Sequence, residues 1–287
     1  MVSTLLVSQL VILGLMYGLL YGVLALGLNI VWGVMRVVNI AHGDFVMVGS
    51  YTSYWAFVLA GINPIISLLL TIPLGFALGT ATYLSLVKRV QGSEELMSLF
   101  LTFGLSTLIG GLLLFLYSPT QRAIPIYLGN LAYLGLSIPV NILIASVYAI
   151  IVALGLRIFF TRTFWGKAIR AVIDDKISAM LVGINPSMVS LLTFGIGIAI
   201  ACSVGSIIML LESVSPVSGP DLTLISFVIV VLGGLGNPAG ALVGGVLLGV
   251  VESVSSIAVN AAVTPAIGFI ILFIVLIVRP QGIMGSR

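Results

Sequence analysis

The sequence predicts an all-α protein, a polytopic transmembrane bundle of about eight or nine helical spans, some interrupted, in one domain over residues 1–287. Three observations carry that reading. Only 7% of the 287 residues are charged, against roughly 25% in soluble domains, too few to cover a water-facing surface. Apolar runs of about 20 residues, each enough to cross a hydrocarbon core, recur along nearly the whole chain. The 33 glycines sit inside those runs, where small residues let helices approach closely.

In chain order the spans read as 6–31, 37–60, 64–87, 96–118, 137–160, 188–211, 222–235, 238–258 and 263–278. No Lys or Arg precedes Arg36, so the first run lacks the positive flank of a signal peptide and is expected to stay in the mature chain. The third span ends at Lys88 and Arg89, the fifth enters a stretch from Arg157 through Arg162, Lys167 and Arg170 to Lys176, and the last ends at Arg279, with Arg287 beyond. All three clusters are expected on the cytoplasmic side. Two spans separate the first pair of clusters and four the second, even numbers as parity requires. Counting back from Lys88 places the N-terminus outside and the C-terminus inside; a re-entrant glycine-rich piece would lower the total to eight. The net charge of +3 therefore reports topology and gives no sign of nucleic acid. Cys202, the only cysteine, lies inside the sixth run, which rules out an internal disulfide or thiolate cluster.

Two loops stand out. Residues 119–136, with Pro119, Arg122, Pro125 and Asn130, are expected outside, whereas 161–187 forms the main cytoplasmic excursion. A helix fits the latter, with Ala168, Ala171, Val172 and Ile173 on an apolar face and Arg170, Asp174 and Asp175 in water. It also reads as an ordinary positive-inside loop.

NIAHGDF, Asn39 to Phe45, holds the only histidine. His42, Gly43 and Asp44 belong either to a broken helix beside a translocation path or to a helix start at which Gly43 breaks one helix and Asp44 caps the next. One His and one nearby Asp fall short of a metal site. GGLGNPAGALVGG, Gly233 to Gly245, includes Gly234, Asn237 and Pro238, and Pro238 splits the run near Asn237. The segment is either a tight loop between two spans or an interrupted helix; Asn39-Ile40-Ala41 and Asn237-Pro238-Ala239 each open a small-residue helix, a weak sign of an inverted pseudo-repeat of the kind found in transporters, in which the two interruptions, with Asn39, Gly233, Gly234, Asn237 and Pro238, would flank the translocation path. Among the remaining acids, Glu212 and Asp221 are expected to rim the external mouth. Glu252 lies inside an apolar run, either in the path or in a helix-packing hydrogen bond. No phosphate-binding GxxxxGK[ST], HExxH or GxSxG occurs, so neither ATP hydrolysis nor enzyme catalysis has residues to stand on.

Taken together, GLMYGLLYGVLALGLNIVWGVMRVVNIAHGDFVMVGSY (Gly14 to Tyr51), GKAIRAVIDDKISAMLVGIN (Gly166 to Asn185) and GGLGNPAGALVGGVLLGVVES (Gly233 to Ser253) resemble the LivH-type branched-chain amino acid permeases of ABC importers. That resemblance implies a second, related permease, two cytoplasmic ATPase subunits that use the ATP, and an external substrate-binding protein, in the cytoplasmic membrane of a prokaryote. It also implies no cofactor in this chain, and an ATPase-docking role for Gly166, Arg170, Asp174, Asp175, Lys176 and Gly183. Related permeases serve urea or short amides. An ion-coupled carrier acting alone is the rival class, with only Glu252 and the Asp44 region as coupling groups; a passive channel is a third.

Overall fold

Backbone in hydrocarbon must satisfy its own hydrogen bonds, and each apolar run does so as a helix. The computed structural model describes residues 4–133, 135–257 and 264–285. Its helices are α1 (Thr4–Met35), α2 (His42–Ala60), α3 (Pro64–Thr82) continued through a π turn (Tyr83–Val87) into α4 (Lys88–Val90), α5 (Glu95–Tyr117), α6 (Val140–Arg162), α7 (Phe164–Asp174), α8 (Lys176–Leu181), α9 (Pro186–Ile208), α10 (Gly219–Gly233), α11 (Pro238–Ser255) and α12 (Thr264–Val278). All nine expected spans coincide with a helix or the continuous α3–α4 rod. Among the described residues seven segments are both long and apolar enough to cross a membrane. The exceptions are α2, with its polar start, and α12, with 15 residues. Arg287 of the third basic cluster lies outside the described residues.

One addition is a hairpin in the loop before α6, β1 (Asn130–Tyr133) paired antiparallel with β2 (Leu136–Pro139). The loop reading of 119–136 missed it, because a hairpin this short carries little periodicity.

Three helices open on the same device. Asn63, Asn185 and Asn237 each cap a helix whose first residue is proline, their Oδ1 atoms accepting from the N–H of Ile65, Ser187 and Ala239 at 2.9–3.0 Å. The asparagine satisfies an orphan donor, and proline occupies the position where an N–H is not missed.

Glycine decides the packing. Gly14, Gly18 and Gly22 on α1 run antiparallel against Gly249, Gly245 and Leu242 on α11, and a Cβ on Gly18 would stand 2.7 Å from the Gly245 carbonyl oxygen. Gly75 and Gly79 on α3 meet Ala199 and Gly195 on α9 in the same way. Each block of three helices, α1–α3 and α9–α11, thus packs its first helix on the third helix of the other block. Gln9 near the start of α1 bonds the Ser137 carbonyl, and the segments after α5 and α9 pair through Arg122 and Val214. Hence α1 runs away from the end that α9 runs toward, and the two blocks are inverted relative to each other.

This inverted repeat has a different register from the one expected. Asn237-Pro238 opens the third helix of its block and corresponds to Asn63-Pro64. Asn39 does not cap: Ala41 precedes the first residue of α2, with no side-chain cap, and only the Asn39 carbonyl is used, accepting from His42 N–H. The counterpart of the break at 36–41 is the segment 209–218 before α10, which ends in a 3-10 turn (Pro216–Ser218).

Candidate functional site

The first break starts where Arg36 turns to positive φ (53°), and the chain runs back along α1 as a non-helical strand. His42 reaches the level of Leu24, its Nε2 donating to the Leu24 carbonyl at 2.9 Å. Its ring lies beside the crossing of α1 and α9 at Gly27 and Gly197, halfway along α9. Consequently α2 begins at mid-depth in the bundle.

At this depth its N-terminus meets that of α10. The Gly43 N–H donates to the Thr223 hydroxyl (2.8 Å), and Thr223 Oγ1 donates to the Ile40 carbonyl (2.9 Å). Thr102 on α5 donates to the Val38 carbonyl at 2.9 Å. Irregular backbone inside a bundle is tolerable when protein groups satisfy it this way. A Cβ on Gly43 would collide with the Gly219 carbonyl, and one on Gly219 would collide with the Asp44 carboxylate, so only glycine permits the two helix ends to touch.

Asp44 is the third residue of α2 rather than its cap, and Gly43 lies inside the helix rather than breaking one. The break comes earlier because the strand must climb to mid-depth first. Asp44 is buried, with Ser106 of α5 beside it. There its carboxyl group faces the N-terminal ends of two helices, whose dipoles favour a negative charge. Four polar atoms around this junction lack a partner among the described residues: Asp44 Oδ2, His42 Nδ1 and both side-chain polar atoms of Asn39.

The second break does not join the first. Gly233, Gly234, Asn237 and Pro238 lie at the far end of α10, beside the end of α1. Asn29 Nδ2 donates to the Gly234 and Asn237 carbonyls (3.3 and 3.0 Å), and Asn237 Nδ2 donates to Met284 (2.7 Å). Asn29 was missed by sequence reasoning, since a lone Asn in an apolar run gives no sign of its partner 205 residues away. Gly234 (φ 110°) takes a conformation that only glycine adopts freely. Half-buried Glu252 stands apart from both breaks, facing Gly268 of α12.

The second break instead borders the excursion 161–187. A cavity of about 640 Å³ is lined by Ile30, Arg157, Arg170, Asp174, Asn237 and Pro238, among others. The excursion is two helices rather than one. Thr163 caps α7, accepting from Gly166 N–H at 3.0 Å, and buried Gly166 lies so close to Phe159 that a Cβ would clash. Ala168, Ile169 and Val172 are buried, while Arg170, Asp174 and Lys176 are exposed. Asp175 opens α8, accepting from Ile177 N–H, Ser178 N–H and the Ser178 hydroxyl at 2.8, 3.2 and 2.5 Å. Gly183 (φ 86°) follows the end of α8. Ile177, Leu181 and Val182 are 68–84% exposed, an apolar tip that the charge pattern alone did not suggest.

Glu212 and Asp221 are both exposed. Desolvation by the surrounding protein nevertheless raises the pKa of Glu212. Asp221 belongs to the first turn of α10, close to the mid-depth junction rather than at the rim. Among the described residues no three His, Cys, Asp or Glu are grouped to hold a metal ion.

Residues 10–279 match the family described as the branched-chain amino acid transport system permease component. The chain is 30% identical to the high-affinity branched-chain amino acid transport system permease protein BraD of Pseudomonas aeruginosa, over 95% of this chain and 94% of that one. It is 29% identical to the corresponding protein LivH of Salmonella typhimurium, over 95% and 93%. A probable LivH of Methanocaldococcus jannaschii is 30% identical over 94% and 90%. No solved structure matches the chain.

Proposed function

Because the chain belongs to the family of branched-chain amino acid transport system permease components, we propose that it is the membrane-spanning subunit of an ABC importer for branched-chain or similar small neutral amino acids. It works with a second permease, two ATPase subunits and an external binding protein, and performs no catalytic step itself. It sits in the cytoplasmic membrane of a prokaryote with its N-terminus external and its C-terminus cytoplasmic. The observation that carries this reading is the pair α7–α8: an exposed apolar tip of Ile177, Leu181 and Val182, flanked by Arg170, Asp174 and Lys176, at the end of the bundle where the basic residues gather. A soluble domain with an apolar groove and complementary charges would be received there.

Motion of α7–α8 is passed to the break at Gly234–Asn237 and the end of α1 through the cavity they share. Rearrangement of α1 and α10 then alters the mid-depth junction at His42, Gly43 and Asp44. An ion-coupled carrier has no use for the exposed tip. The test is uptake into vesicles holding the assembled complex. Leucine accumulation that needs ATP and the binding protein supports the reading; accumulation by this chain alone, driven by an ion gradient, refutes it.

A further inference from the structure

At the end of the bundle opposite α7–α8, an aromatic cluster encloses one cation. The Tyr51 ring of α2 stacks on Tyr117, the last residue of α5, with centroids 4.6 Å apart and planes within 4°. Trp55, one turn beyond Tyr51, lies 5.8 Å from Tyr117. The Arg122 guanidinium carbon stands 5.3 Å from the Tyr54 centroid and 5.7 Å from that of Trp55. Backbone hydrogen bonds of 2.9 Å in both directions with Val214 hold Arg122 in place. Its Nη atoms donate to the Tyr54 hydroxyl and the Tyr117 carbonyl, each at 3.3 Å.

Three donors in this cluster remain unused. The Tyr51 hydroxyl, Trp55 Nε1 and Arg122 Nε are buried with no hydrogen-bond partner among the described residues. Tyr51 is only 1% exposed, and Arg122 is close enough to act on its hydroxyl electrostatically. Arg122 forms no ion pair with an acid among the described residues. A buried donor without a partner is costly, and two of them beside a guanidinium whose own Nε is unused and whose charge meets no acid among the described residues call for an acceptor with more than one oxygen and a negative charge. A carboxylate meets that need, and arginine is the residue suited to it.

An apolar groove of about 410 Å³ starts at the same two tyrosines and continues along Val48, Leu105, Ile109 and Leu113. Of the three donor residues Tyr51 lines this groove, while Trp55 and Arg122 stand behind the stacked tyrosines; an aliphatic amino acid with its side chain along the groove and its carboxylate between the tyrosines and Arg122 would use both. We propose that Tyr51, Trp55 and Arg122 form a carboxylate-binding site for the amino-acid substrate at the mouth of this chain. This rests on the transport reading above, and adds where the substrate first touches the permease.

The test uses the full chain in lipid nanodiscs, with Trp32→Phe and Trp165→Phe leaving Trp55 as the only tryptophan. Leucine should shift Trp55 emission saturably, while leucinol, which lacks the carboxylate, should not at the same concentration. Tyr51→Phe keeps the stacked ring and removes one donor, and should weaken leucine binding about tenfold; Arg122→Gln should weaken it at least as much. No saturable response to leucine, an equal response to leucinol, or unchanged affinity in Tyr51→Phe would each overturn the site and leave a water-filled joint. The two readings fail separately. ATP-driven leucine uptake by the assembled complex with Trp55 silent sinks the site alone. Leucine binding at Trp55 without any ATP-driven uptake sinks the transport reading alone.

Discussion

Gly43 and Thr223, 180 residues apart, are joined by a 2.8 Å hydrogen bond from a backbone N–H to a side-chain hydroxyl. Through it the N-terminal ends of α2 and α10, the second helix of each inverted block, are fastened at mid-depth. The same hydroxyl donates to Ile40, so Thr223→Val leaves a buried N–H and a partly buried carbonyl unpaired. The expected loss is about 1–3 kcal/mol, with Thr223→Ser close to the parent. Thermal unfolding in detergent measures it; equal unfolding temperatures for Val and parent would show that the junction contributes nothing.

A second expectation concerns the glycine contacts. In Gly245→Ala the added methyl meets the backbone of Gly22, so α1 and α11 must separate, at a cost of about 1–3 kcal/mol from overpacking. Gly155 in α6 has nothing within 4 Å of where a Cβ would stand, and Gly155→Ala should be neutral or stabilise by up to about 1 kcal/mol. Matching melting curves for the two variants would refute the packing account.

The coupling helices separate two acids that look alike in sequence. Asp174→Lys should leave the chain folded but reduce co-purification with the ATPase and substrate-stimulated hydrolysis, because Asp174 is an exposed charge with no local task. Asp175→Lys should damage α8 itself, since it removes the cap, whereas Asp175→Asn keeps an accepting oxygen. Parent-level coupling in Asp174→Lys would exclude this surface as the docking site.

The Asp175 carboxyl is held below its ordinary value of 3.8, first by the Ser178 hydroxyl and then by the backbone N–H groups of Ser178 and Ile177. A depressed carboxyl adds stability that is present above the unfolded value and lost as pH falls through the folded one. The cap therefore stays charged between about pH 5 and pH 8, and the coupling ratio of Asp175→Asn to parent should be constant there. A ratio that changes within this window would place another titrating group at α8.

Orientation is open to thiol labelling, because Cys202 is buried and gives little background. Gln121→Cys should react with an impermeant reagent from outside the cell and Lys176→Cys only from the cytoplasmic side. The reverse pattern would invert the proposed topology.

Much of this protein is written in its sequence. The apolar runs define every spanning helix because hydrocarbon leaves the backbone no alternative, and proline after asparagine marks where helices start. What the sequence left open is which start answers which. Asn39 and Asn237 look alike in one dimension, yet only Asn237 caps a helix, while Asn63 is its true counterpart. The GGLGNP segment and NIAHGDF read as two sides of one path, yet they lie at different depths. Asp44 reads as a cap until the strand from Arg36 to Ala41 is seen to climb to mid-depth beforehand. Asn29, Thr223, Tyr51 and Arg122 carry no local signal, since what makes each matter is a partner in another helix or loop. Periodicity and propensity act over a few residues and are legible in the chain itself; close approach of glycines, and the pairing of buried polar groups across helices, exist only once the blocks have packed, and there the tertiary structure decided.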